Sequence, residues 1–390
     1  TFTFMDSDTQ MHLISGFSDK ELREILDEIF VDDTVDIIEE MPANVVSRIL
    51  KNTDAETRKQ INAILDYPTD SAGSVMTTEY VYLHKNMTTK EALDWIRKVG
   101  VVKETIYTCY ITESRKLIGF VTILDLVTAD EDATIESIMD SNVKFVYTHE
   151  DREDVAKKFS KYDFLAMPVV DNEERMVGII TFDDVLDVIA EENEEDFSKM
   201  AAMQPIEDSY FKTSVFTHAK KRIGWLLVLM LSATITGNLL TKYEEAFQAI
   251  PILVSFIPML MSTGGNCGSQ SSTTVIRGLA TGEIQFKDFF KAVFKEFRIS
   301  LIISVILAVT NGLRIFIFYK NLQLSIVITL SIIGTVIIAE FIGCALPLIA
   351  KKVKLDPAIM ATPLISTIVD TCSMLIYFQF ATMIFSELRH

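Results

Sequence analysis

Five long apolar segments, at about 223–241, 247–275, 299–319, 325–349 and 359–385, dominate the second half of this 390-residue chain. Each is long enough to cross a hydrocarbon core of ~30 Å at about 1.5 Å per residue. Lipid offers no partner to backbone N–H and C=O groups, so segments of this length are predicted to be helices. The basic residues between them are unevenly placed. Lys220, Lys221 and Arg222 precede the first segment, Arg277, Lys287, Lys291, Lys295 and Arg298 follow the second, and Lys351, Lys352 and Lys354 follow the fourth. The opposite connections carry only Lys242, Lys320 and Arg389. Cytosolic loops hold the excess of Lys and Arg, which predicts a cytosolic N-terminus; an odd number of spans then puts the C-terminus outside.

Charge divides the chain as sharply as hydropathy does. Residues 221–390 hold 14 Lys+Arg and 9 Asp+Glu, leaving 22 and 45 to residues 1–220. A field as acidic as that of the first half repels nucleic acid and anionic lipid and attracts cations, divalent ones most of all; it also serves plain solubility. Cys109, Cys267, Cys344 and Cys372 are far apart and suggest neither a zinc site nor a disulfide framework. No charged n-region or cleavage site follows Thr1, so the chain is expected to begin inside a domain.

Residues 1–68 read as an all-α array of short amphipathic helices, with starts marked by Ser18 and Asp19, Asp32 and Asp33, Pro42, and Thr53 and Asp54. An internal repeat follows. Met76 answers Met139 and Ala92 answers Ala156, while LIGFVTILDLV and MVGIITFDDVL set Gly119, Thr122 and Asp125 against Gly178, Thr181 and Asp184. This strand, helix, strand pair, turn and helix, twice over, resembles a tandem pair of CBS domains, here 69–134 and 135–190. The resemblance implies a pseudo-twofold α/β pair that commonly dimerises, with an adenine nucleotide in the cleft. Thr181 and Asp184, or Thr122 and Asp125, would accept hydrogen bonds from its ribose. The same residues are ordinary helix N-caps, so both readings stand.

Residues 191–213 form an acidic connecting helix ended by Pro205. Glu191 and Glu195 are four apart, as are Glu192 and Asp196. Each like-charged pair costs a few tenths of a kcal/mol, a burden that solvent tolerates or bound cations relieve.

Two of the apolar segments carry polar chemistry. In the second, Pro251 and Pro258 free backbone carbonyls, Gly264, Gly265 and Gly268 admit a close neighbour, and Asn266 and Gln270 share a face. Polar, irregular backbone at membrane depth is tolerated where it is buried in protein or lines water, so this is a packing motif or a pore wall. In the fifth, Thr362, Ser366, Asp370 and Ser373 make one polar stripe. If that helix enters the core near Met360, Asp370 lies about 15 Å deep, close to the midplane. An ionised carboxylate there costs at least about 2.5–3.5 kcal/mol, and the segment has no Lys or Arg to neutralise it. A protonated Asp370 in a packed interface is one explanation and a cation path is the other. Glu340 in the fourth segment is a second such acid, for which Arg314 is a candidate partner.

The order of parts, with IPMLMSTGGNCGSQSSTTVIRGLATGEI and LDPAIMATPLISTIVDTCSMLIYF in the second and fifth segments, resembles the MgtE family of bacterial magnesium channels over essentially the whole chain. The implied fold is multidomain: an N-terminal all-α superhelical array, an α/β CBS pair, an acidic connecting helix, and an all-α membrane domain of five transmembrane helices at 214–390. The resemblance implies a homodimer with its pore on the twofold axis. The central Mg2+ site would use Asp370 and the backbone carbonyl of Ser366, a position where family members often have Ala. Gly265, Asn266, Gln270, Thr362 and Ser373 would line the path. The connecting helix would act as a plug, closed by regulatory Mg2+ on Glu191, Glu192, Glu195 and Asp196, with Asp183, Asp187, Asp33 and Asp36 as further acids.

Physical chemistry fits this reading. Mg2+ takes oxygen ligands and dehydrates reluctantly, so a carboxylate can select it through its water shell, and a twofold axis would bring two copies of Asp370 together. The chain is expected to be a transporter of a bacterial inner membrane rather than an enzyme, with Mg2+, lipid and an adenine nucleotide such as ATP as partners and no nucleic acid. A proton-coupled or broader divalent carrier for Mn2+ or Co2+, regulated by nucleotide through the CBS pair, is the alternative. An intramembrane metalloprotease would need H-E-x-x-H, but His12, His84, His149, His218 and His390 all lie outside the apolar segments. An anion channel would need basic or helix-N-terminal sites at the midplane, and a tethered nucleotide sensor would have no use for a polar intramembrane stripe.

Overall fold

The computed structural model describes residues 2–3, 5–206, 210–360 and 362–388, without the side chains of 245–247 and 362. The chain divides into two units, Thr1–Glu192 and Asn193–His390.

The first unit opens with five short helices, α1 (Ser7–Gly16), α2 (Asp19–Leu26), α3 (Val31–Glu40), α4 (Ala43–Asn52) and α5 (Ala55–Leu65). The starts of α2, α4 and α5 fall where the turn and cap residues predict, whereas α3 begins at Val31, ahead of Asp32 and Asp33, with Phe30 at its N-cap and no side-chain cap. Ser18 and Glu21 form a reciprocal capping box on α2, Pro42 precedes α4, and Asp54 accepts from the N–H groups of Glu56 and Thr57 on α5. The Ser18 and Asp54 side chains satisfy backbone donors that the first helical turn leaves unpaired, while Pro42 makes no side-chain cap bond. Ile14, Leu22, Val35, Ile49 and Ile61, one from each helix, close a single apolar core.

Two α/β repeats follow. The first comprises β1 (Tyr82–Leu83), α6 (Thr89–Val99), β2 (Thr108–Glu113), β3 (Lys116–Thr122), α7 (Ile123–Thr128) and α8 (Ile135–Ile138). The second comprises β4 (Val146–Tyr147), α9 (Arg152–Tyr162), β5 (Ala166–Val170), β6 (Met176–Thr181) and α10 (Phe182–Met200). In each sheet the central strand pairs parallel with the first and antiparallel with the last. The likeness extends to the irregularities, since the register slips after Ile111 in one sheet and after Val169 in the other. The repeats exchange their lead-in segments: Thr77 bridges Ile179 and Phe120 bridges Asp140. Met76 therefore sits on Gly178 and Met139 on Gly119, where an added Cβ would lie 2.8 and 3.1 Å from the sulfur. Glycine is what lets each methionine approach the other repeat's strand.

Helix α10 departs from the sequence reading, which begins the connecting helix at residue 191 and ends it at Pro205. It is one helix from Phe182, because the buried Val185 and Val188 continue the same apolar face, and it stops at Met200, ahead of Ala202 with a left-handed φ of 53°.

The second unit contains α11 (Val215–Lys242), α12 (Glu244–Ala249), a 3-10 turn at Pro251–Phe256, α13 (Ile257–Ala280), α14 (Phe289–Tyr319), α15 (Leu322–Lys352) and α16 (Thr362–Ile384). Among the described residues four segments are helical, long and apolar enough to cross a membrane: Val215–Lys242, Phe286–Tyr319, Leu322–Lys352 and Pro357–Ile384. The polar, glycine-rich α13 is not one of them. Pro258 stands in its first turn, where a missing N–H is harmless. Helix α15 packs against α13, α14 and α16, and its Val327, Ile332, Val336 and Ala339 share a core with Leu260, Ile365, Val369 and Tyr377. Helix α11 is mostly exposed and meets α16 at a Thr236–Thr371 hydroxyl contact of 2.9 Å.

Candidate functional site

Glycines on α13 let α16 come close. A Cβ on Gly264 would lie 2.7 Å from Thr335 Cγ2 and 2.8 Å from Ser373 Oγ, and one on Gly265 would lie 3.3 Å from Ser366 Oγ. Beside this contact runs a groove of about 390 Å³, lined by Gly265, Asn266, Ser269 and Gln270 of α13 and by Ser366 and Asp370 of α16, among others. Asp370 is the only ionisable residue in that lining; the rest of its polar groups are hydroxyls and amides. Such a wall can hold a hydrated cation through water, with one carboxylate to set the sign.

The sequence-predicted residues Gly265, Asn266, Gln270, Ser366 and Asp370 are thus brought together. The side chain of Thr362 lies outside the described residues. Ser373 takes no part in the wall: it is fully buried against Gly264, and its hydroxyl donates to the Val369 carbonyl at 2.7 Å. A step of three residues from Asp370 falls back by roughly 60° around a helix, enough to turn Ser373 into the α13 contact. Ser269 was missed, although it follows Asn266 by three residues on the same face.

The expected Arg314–Glu340 pair does not form. Arg314 Nη2 lies 3.2 Å from Met259 Sδ, whereas Glu340 is buried beside Ser271 of α13, whose hydroxyl lies 3.1 Å from the Glu340 carbonyl oxygen and 3.1 Å from Glu296 of α14. Arg314 and Glu296 are separated by about 27 Å along that helix, at the rise of an α-helix.

The first unit gathers a second set of acids. Ligand oxygens of Asp32, Glu79 and Glu104 lie within 4.8 Å of one another, and each residue has a buried carboxylate oxygen without a hydrogen-bond partner among the described residues. Asp33, Asp36 and Asp184 stand around them. Burial, then the charge of Asp184, pushes Asp32 up to about 8, Asp36 to about 7 and Glu104 to about 7. Burial also raises Asp184 to about 6, against the lowering effect of its hydrogen bonds from Thr181. Asp33 is raised by burial and by Asp183. Crowded, desolvated carboxylates of this kind hold either protons or a cation. The sequence reading named Asp33, Asp36 and Asp183 for Mg2+ and Asp184 for a nucleotide's ribose, and it missed Asp32, Glu79 and Glu104 as ligands, which come from separate segments with no shared spacing.

Glu191, Glu192 and Glu195 of α10 have basic partners. Arg152 reaches Glu191 at 2.7 Å and Glu192 at 3.0 Å, and Lys199 reaches Glu195 and Asp356 at 2.7 Å each. Asp196 is half-buried and Asp187 exposed.

Thr122 and Thr181 cap their helices. Each hydroxyl donates to the carboxylate three residues on, Asp125 or Asp184, at 2.5 Å, and each backbone N–H donates to the same group. A cavity of about 350 Å³ lies elsewhere in the second repeat, lined by Lys144, Phe145, Lys157, Lys158, Lys161 and Tyr162, together with Met167. Four lysines beside two aromatic rings suit a phosphorylated, planar ligand. Lys157 pairs with Glu153 and Asp154, Lys158 with Glu150, and Lys161 lies 5.1 Å from the centre of the Tyr162 ring.

Known proteins match along the length of the chain. A family model described as MgtE, divalent cation transporter, matches residues 257–380; the MgtE intracellular N domain matches 1–70; and the CBS domain matches 72–132 and 135–191. A magnesium transporter MgtE of Bacillus subtilis is 35% identical over 352 residues, 90% of this chain and 78% of that one. The magnesium transporter MgtE of Thermus thermophilus is 34% identical over 332 residues, 85% of this chain and 74% of its own. A solved structure of the cytosolic domain of the Mg2+ channel MgtE in complex with ATP is 36% identical and covers 48% of this chain and 77% of that one, with a TM-score of 0.46.

Proposed function

The chain belongs to the MgtE family of magnesium transporters, and on that premise we propose that it is a Mg2+ channel whose path follows the groove between α13 and α16. The observation that carries this reading is the single carboxylate of Asp370 in a wall of neutral oxygen and amide groups. The backbone carbonyl of Ser366 is the second ligand in this account. Helices α11, α13, α14, α15 and α16 are the five spans, in a bacterial inner membrane, with the N-terminal domains cytosolic and the C-terminus outside. The groove is open on one side, and a homodimer would close two such grooves around a twofold axis.

Regulatory Mg2+ belongs in this reading at the Asp32, Glu79 and Glu104 cluster, with Asp33, Asp36, Asp183 and Asp184 around it. The acidic part of α10 (Glu191, Glu192, Glu195 and Asp196) and Asp187 act with it to close the path. Shifting a gate from 1:99 to 99:1 takes about 5.5 kcal/mol of differential binding, which several ions can share. ATP fits the lysine-lined cavity through its phosphates or the Thr181–Asp184 cap through its ribose.

The test is uptake into liposomes that hold the full chain and an entrapped Mg2+ indicator. Mg2+ is expected to enter down its own gradient with equal pH on both sides. Uptake that demands a pH gradient would replace the channel with the proton-coupled carrier.

A further inference from the structure

Helix α14 is longer than a membrane crossing needs. From Arg298 to Tyr319 it rises about 30 Å, the thickness of the hydrocarbon core, so its first three turns fall at and beyond the headgroup layer. Those turns have three faces. Glu296 and Ser300 are buried in the protein, and Val293 packs on the core beside them. Phe290, Phe294 and Phe297 form an exposed line that runs on into Leu301 and Val305, exposed on the span itself. Lys291, Lys295 and Arg298 are exposed on the third face, roughly 180° around the helix from the buried one, and Lys287 precedes them in a 3-10 turn at Phe286–Asp288.

Phe290 is 83% exposed, so the protein itself does not cover its ring. The end of α15 adds to the charge: Lys352 Nζ lies 4.7 Å from the centre of the Phe286 ring, and Lys351 beside it is exposed. Two acids stand on this stretch of α14 and its lead-in. Asp288 pairs with Lys291 at 3.2 Å, and Glu296 is turned inward, accepting from Ser271 at 3.1 Å. Lys287, Lys295 and Arg298 form no ion pair among the described residues.

The aromatic line is continuous with the outer side of the span, and the cations beside it call for phosphate oxygens. An anionic phospholipid offers both at this depth, acyl chains for the rings and a negatively charged headgroup for Lys and Arg. A second copy of the chain would set cation against cation, and a free phosphate would leave the rings in water. We propose that the first three turns of α14 and the end of α15 form a binding site for anionic phospholipid, with Lys291, Lys295 and Arg298 on the headgroup phosphate and Phe290, Phe294 and Phe297 against the acyl chains. The site rests on α14 as a membrane span, and it stands whether or not the groove is the cation path.

Melting of the full chain in a neutral detergent, with phosphatidylglycerol or phosphatidylcholine added at equal concentration, tests this. Phosphatidylglycerol is expected to raise the melting temperature by at least about 3 °C more than phosphatidylcholine, and the difference should shrink in ~1 M NaCl. In Lys291→Gln/Lys295→Gln/Arg298→Gln the difference should vanish, while melting in detergent alone stays within about 2 °C of the parent's, because these side chains are exposed. Lys220→Gln/Lys221→Gln/Arg222→Gln, which removes as many cations ahead of α11, should keep the difference. If the α14 variant does not purify as a single species, Lys295→Glu takes its place and should lose at least about half of the difference. No difference in the parent, an undiminished one in the α14 variant, an equal loss in the α11 variant, or an equal rise with sodium phosphate alone would overturn the site.

Discussion

Gly343→Val is expected to leave the membrane unit without a stable fold. A Cβ on Gly343 of α15 collides with the backbone carbonyl of Gly268 on α13 and comes within 3.0 Å of the Ser271 Cβ. A flexible side chain could swing aside, but a helical carbonyl cannot move without its helix. Overpacking costs about 1–3 kcal/mol where neighbours can adjust, and more where the obstacle is backbone. Net stabilities of about 5–15 kcal/mol leave little reserve for that. In detergent, the melting temperature should drop by at least about 5 °C, or the protein should fail to purify as a single species. Gly224→Ala is the control, because nothing lies within 4 Å of its added methyl group. Equal effects at the two positions would contradict the packing account.

The acid cluster of the first unit should make stability fall as pH rises when divalent cations are absent. The groups on Asp32, Asp36, Glu104 and Asp184 stand at about 8, 7, 7 and 6, raised above an ordinary carboxylate. Unfolded carboxylates titrate near 4, so between about pH 4 and 8 the folded state binds more protons than the unfolded one, and stability declines through that window. A cation that occupies the site replaces the protons and reverses the trend. Free Mg2+ at 100 times its dissociation constant stabilises the folded state by about 2.7 kcal/mol. Melting curves at pH 5 and 8, with and without Mg2+, should show its largest effect at pH 8. Asp32→Asn combined with Glu104→Gln should flatten both dependences. Stability that rises with pH in chelator, or an unchanged Mg2+ effect in the double variant, would rule out the cluster as a cation site.

What could be read in the sequence was what depends on local order. Caps at Ser18, Pro42 and Asp54 act through neighbours in the chain, and the strand pairs of the repeats announce themselves by similarity. The groove residues were legible because a polar stripe stands out in an apolar helix. The convergence of Asp32, Glu79 and Glu104 was not, since each acid looks like ordinary surface charge in its own segment. Glu296 was hidden among the basic residues that precede its apolar run, and only packing shows that it meets Ser271 beside the Glu340 backbone. Ser373 failed for the opposite reason: spacing put it on the stripe, and the closeness allowed by Gly264 buried it.

The most direct test of the cation path compares Mg2+ uptake by the parent and by Asp370→Asn in liposomes, with both proteins folded and reconstituted in equal amounts. The amide keeps the shape of the side chain and removes the groove's ionisable group. Focusing of cations by a charged cleft raises rates by about 10–1000-fold, so uptake should fall at least about tenfold in the variant. Equal uptake in the two proteins would return Asp370 to a packing role and place the path elsewhere.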